Sequence, residues 1–110
     1  MSEMPTSVQI GPYRLRITQD PSDYAKKAVA DGQKCWGWIE YGQLRIVIDP
    51  DQAEDHKRVA LLHEVLHGIE DISDQRHKHD ELLIRQLAAV LVDTLRRNPD
   101  LAAWLLEVAP

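Results

Sequence analysis

Phenylalanine is absent from the 110 residues, and cysteine occurs once, at Cys35. A lone cysteine closes no internal disulfide and builds no thiolate zinc site by itself, which argues against a disulfide-stapled scaffold and for a reducing compartment. Basic charge is in deficit. Thirteen Lys plus Arg against 18 Asp plus Glu give a net charge of −5. Binding nucleic acid by broad phosphate neutralisation needs the opposite balance, and an anionic membrane would not attract this chain. Long apolar runs are missing too: residues 87–92, the longest in the C-terminal half, are far too short to span a bilayer. Met1-Ser2-Glu3-Met4-Pro5 has no basic stretch leading into an apolar one, so no secretory signal is expected. What is present, 44% hydrophobic and 28% charged residues, suits one globular cytoplasmic domain over residues 1–110, with no linker or repeat to divide it.

The first half reads as sheet and the second as helix. Residues 13–17 alternate, with Tyr13, Leu15 and Ile17 on one face and Arg14 and Arg16 on a solvated one. Residues 24–30 fit one or two helical turns. A second strand is expected over 35–41, with Trp36 and Trp38 on one face, and a third over 44–49, joined by a hairpin in which Gly42 supplies the tight turn. After Asp49-Pro50 the period changes to about 3.6 residues. Asp51 is the expected cap of a helix reaching about Ile69, with Glu54 and Asp55 in its first turn, where the helix dipole favours acids. A second long helix is expected over 80–97. Asn98-Pro99-Asp100 then reads as cap, first-turn proline and acid of a short last helix to Val108. These elements predict an α+β fold: a small three-stranded antiparallel sheet followed by an active-site helix, a second long helix and a short C-terminal one.

His63-Glu64-Val65-Leu66-His67 is an H-E-x-x-H segment inside the first long helix. Residues four apart share a helix face, so both imidazoles can reach one metal ion. Beside them Val59, Leu61, Leu62, Val65, Leu66 and Ile69 form the expected apolar arc. Glu64, turned about 100° from His63, suits a base acting on water better than a ligand. With this composition the bare motif arises by chance roughly once in 70 such chains, and its helical phase makes coincidence rarer still.

A hydrolytic Zn2+ site takes three protein ligands and leaves one position open. The metzincin-type continuation fails here, because Glu70 and Ser73 stand at its positions. Downstream candidates are Asp71, Asp74, His77, His79, Asp80 and Glu81. Glu81 is favoured. It opens the second long helix at the edge of the stripe formed by Leu83, Ile84, Leu87 and Leu91, and packing that stripe on the first helix brings it toward the histidines. Asp80 is shorter and better placed as the helix cap.

Strands, an H-E-x-x-H helix, a short connection and an acid-opened helix resemble the gluzincin zinc metallopeptidases, most closely the minimal ImmA/IrrE-like and phage-encoded members. Residues 44–95 carry the likeness, strongly at Leu62-His63-Glu64-Val65-Leu66-His67 and less at His79-Asp80-Glu81-Leu82-Leu83. The resemblance implies zinc held by His63, His67 and Glu81, with Glu64 as general base for peptide-bond hydrolysis. It further implies a specific peptide or protein substrate in a bacterial or phage-infected cell, paired along the strand over 44–49 as the sheet edge. Larger relatives often place Asp or Asn four residues after the ligand acid; this chain has Arg85.

Two other readings stand beside this one. An SprT-like protease would use His77 or His79 as third ligand, but the basic surface expected of that class is missing. A zinc-stabilised interaction protein would keep the metal and cleave nothing. Trp36 and Trp38 read as sheet-face packing with cleft lining as the alternative, His56 as an exposed helix residue, and Cys35 as packing. Tyr24, His77 and His79 are the candidates for an oxyanion donor.

Overall fold

The computed structural model describes residues 3–72 and 81–107, and of residues 72, 81–86 and 88 the backbone alone. The architecture is α+β, with four α-helices among the described residues, but the sheet has four strands and is mixed. Strands β1 (Ser7–Ile10) and β2 (Tyr13–Thr18) form an antiparallel hairpin. Helix α1 (Pro21–Asp31) crosses to β3 (Gly37–Glu40), which pairs antiparallel with β4 (Arg45–Ile48). β4 then lies parallel to β2, giving the order β1-β2-β4-β3. The expected three-stranded antiparallel sheet is therefore corrected: β1 was not anticipated, and α1 leads into β3 running opposite to β2, so that the hairpin returns β4 parallel to β2 and the whole segment from α1 through β3 is the connection of the parallel pair.

α1 runs three turns rather than one or two, because Asp20 caps it by accepting from the Ser22 and Asp23 N–H groups and Pro21 opens its first turn. The β3–β4 hairpin forms as expected, through one 3-10 turn at Tyr41–Gln43. Its left-handed residue is Leu44, at φ 50°, not Gly42.

Alternation gives the sheet two faces. Tyr24 of α1 packs on Trp38, ring centroids 5.4 Å apart, so Trp38 points to the α1 side. Gly37 and Ile39, its neighbours on β3, point to the opposite side. There Val8, Ile10, Leu15, Ile17, Ile46 and Ile48 form the core with helix α2 (Glu54–Ile72), which contributes Leu61, Val65 and Ile69. α3 (Glu81–Arg97) and α4 (Pro99–Leu106) complete this layer, the latter through buried Leu101 and Trp104.

α2 starts three residues after the expected Asp51 cap: the Asp51 N–H is held by Asp49 Oδ1 at 2.9 Å, and the Ala53 carbonyl accepts from Lys57. Val59 and Leu66 lie outside the buried stripe, at 60% and 37% exposure. The helix sits low on the sheet because Gly68 has no Cβ; one would lie 2.9 Å from Ile10 Cδ1 and 3.3 Å from Ile39 Cδ1. Asn98 occupies the α4 cap position, yet its side chain does other work. Its Oδ1 accepts from the Gln9 N–H, and its Nδ2 donates to the carbonyls of Gln9 and Thr94. A buried side-chain amide thus occupies the free edge of β1.

Candidate metal centre

His63, Glu64 and His67 come together on α2, their ligand atoms all within 4.8 Å of one another. The two imidazoles are exposed and lie one helical turn apart, with Nε2 atoms 3.1 Å from each other and rings at 76°. Two zinc–nitrogen bonds of 2.0–2.1 Å at a tetrahedral angle separate their nitrogens by about 3.3 Å, so the pair fits one ion with little adjustment. Glu64 differs in setting. It is 6% exposed, between the histidine face and the sheet. Burial pushes its carboxyl up from the ordinary value, while His63 and His67 pull it back down.

The sheet makes room for this carboxyl. At Gly37 a Cβ would stand 3.0 Å from Ile48 Cδ1, 3.1 Å from the Val47 carbonyl oxygen and 3.5 Å from Glu64 Cγ. A side chain there would crowd both the strand pairing and the acid. At the C-terminal end of the motif, Tyr41 donates its hydroxyl to the His67 carbonyl at 3.0 Å and ties the hairpin to the histidine turn. Burial, then the carboxylates of Asp71, Glu64 and Glu70, push that hydroxyl's pKa up, which keeps it a neutral donor. Reading the hairpin only for its turn passes over Tyr41; an aromatic next to a turn facing the helix that carries the histidines is the signal that finds it.

Other expected site residues fall elsewhere. Asp71 is exposed on the last turn of α2, beside Tyr41 and outside the His-Glu-His group. Tyr24 is not in the site: it lies on the α1 side, and its hydroxyl is taken by the Cys35 carbonyl at 2.9 Å. Asp74, His77, His79 and Asp80 lie outside the described residues, as does the Glu81 side chain; the backbone opens α3 at Glu81. Trp36 and Trp38 do not share a face, because β3 begins only at Gly37 and Trp36 turns the other way, flat on His56 of α2.

The strand beside the centre is also not the expected one. β4, within residues 44–49, is interior, flanked by β2 and β3, and the edge next to α2 is β3. Trp36 O accepts from the Asp49 N–H, so antiparallel alternation turns the N–H and C=O groups of Gly37 and Ile39 away from β4. No family model, curated protein or solved structure matches the chain. Among the described residues no helix is long and apolar enough to cross a membrane.

Proposed function

We propose that the chain is a small zinc-dependent peptidase of the gluzincin type, with His63 and His67 as ligands, Glu81 at the start of α3 as the third, and Glu64 as general base. The observation that carries this reading is the division of the H-E-x-x-H segment into two exposed, converging imidazoles and one buried carboxyl. A helix with coincidental histidines has no reason to bury the intervening acid at a glycine of the sheet.

Zinc bound there supplies a positive charge that acidifies a water molecule and polarises a peptide carbonyl. Glu64 takes a proton from the attacking water and delivers it to the leaving amine nitrogen as the C–N bond breaks. Its burial raises its basicity for the first step. Substrate backbone pairs with the outward groups of Gly37 and Ile39, extending the sheet by one strand. The two sheet edges support this assignment: Asn98 blocks β1, whereas β3 runs beside the histidines.

The test is cleavage of a mixed peptide library by zinc-loaded protein, read by mass spectrometry, with Glu64→Gln in parallel. Cleavage by the wild type and a loss of about 10²-fold or more in Glu64→Gln, at unchanged zinc content, is the expected pair. Zinc binding without cleavage by the wild type would favour the interaction-protein reading.

A further inference from the structure

Resting on the peptidase reading, we propose that Trp36 forms the wall of a side-chain subsite that selects a large apolar residue of the substrate, next to the bond that is cut. A cavity of about 390 Å³ opens on the N-terminal side of His63, lined by Cys35, Trp36, Gly37, Val59, Ala60, His63 and Glu64. Away from the two reacting-centre residues its walls carry no charge. Val59 and Trp36 are its outer lips, at 60% and 56% exposure, so two large apolar groups face solvent where burial on a ligand would stabilise the complex.

Trp36 is fixed from three directions. Its carbonyl accepts from the Asp49 N–H at 3.0 Å and from Gln52 Nε2 at 3.0 Å. One indole face stacks on His56 at 5.2 Å between centroids and 11° between planes. Little ordering is left to be done when a ligand arrives, which favours binding. The cavity is also continuous with the open edge of β3 through Gly37. In a strand added there, alternate side chains point to the α2 face, and one near Gly37 enters the cavity. An aliphatic or aromatic side chain matches the walls formed by Cys35, Trp36, Val59 and Ala60, while an acidic or basic one loses hydration against them and finds a countercharge only by engaging His63 or Glu64, which the reaction uses.

Binding tests this without relying on turnover. Capped Ala-X-Ala peptides, with X as Phe, Leu, Ala, Asp or Lys, are titrated into the zinc-loaded protein and the backbone amide resonances of Gly37 and Ala60, which line the cavity, are followed by NMR. Phe and Leu should bind at least about tenfold tighter than Ala, Asp or Lys, equivalent to about 1.4 kcal/mol. Trp36→Ala should remove the preference at unchanged zinc content, and Val59→Asp, at an exposed helix position, should shift it toward Lys. Equal shifts for all five peptides, or a preference that survives Trp36→Ala, would overturn the subsite. Preference without any cleavage sinks the peptidase reading alone; cleavage without preference sinks the subsite alone.

Discussion

Glu64 answers two opposing demands. The proposed general base must be reachable by water, yet Glu64 is 6% exposed and its Cγ lies 3.5 Å from where a Cβ on Gly37 of the sheet would stand. Burial favours its neutral form, so without metal its carboxyl is held up in the folded chain relative to the unfolded one. The folded state then binds the proton more tightly, and this contribution to stability is complete below the ordinary carboxyl range. It is lost as pH rises through the raised, folded value. Glu64→Gln keeps the shape and cannot ionise. In chelator, urea unfolding of the two proteins across a pH series should show the variant gaining on the wild type through that window and levelling above it. A stability difference independent of pH would contradict a desolvated carboxyl.

Among the elements, α2 was readable because a 3.6-residue period, acids in its first turn and the i, i+4 histidines agree on one helix. Its burial was less so. Val59 and Leu66 fall in the apolar arc by angle, but the sheet contacts only the stripe through Leu61, Val65 and Ile69, and neighbours decide which flank is covered. β1 offers only Val8 and Ile10 as alternation, too short a signal to stand alone, and its second neighbour is the Asn98 side chain 89 residues away. The parallel contact of β2 with β4 depends on how α1 packs, which local pattern does not encode. Asn98 ties the two ends of this fold together. Asn98→Ala should cost about 1–3 kcal/mol in urea unfolding, and by uncovering the β1 edge it should raise self-association in sedimentation. Unchanged stability and a monomer indistinguishable from wild type would show that the amide is dispensable.

For the molecule as a whole, α1 lies behind the sheet, α2 carries the His-Glu-His group in front, and the start of β3 at Gly37 lines the Trp36 cavity that opens directly beside that group. The motif announced His63, Glu64 and His67 from spacing alone. Tyr41 did not stand out, and Trp36 read first as sheet-face packing with cleft lining as the alternative, because their contacts reach across 20 and 26 residues, from Trp36 to His56 and from Tyr41 to His67. Everything chemical in this arrangement requires that the two imidazoles share one ion. Zinc stoichiometry by native mass spectrometry, on unchelated wild type and on His63→Ala, His67→Ala, Glu81→Ala and His79→Ala, addresses that requirement directly. The expected result is one zinc per wild-type chain, none in either His63→Ala or His67→Ala, and far weaker retention in Glu81→Ala than in His79→Ala. Zinc retained by both the His63 and His67 variants would contradict the centre itself, and a loss confined to His79→Ala in place of Glu81→Ala would contradict its third ligand.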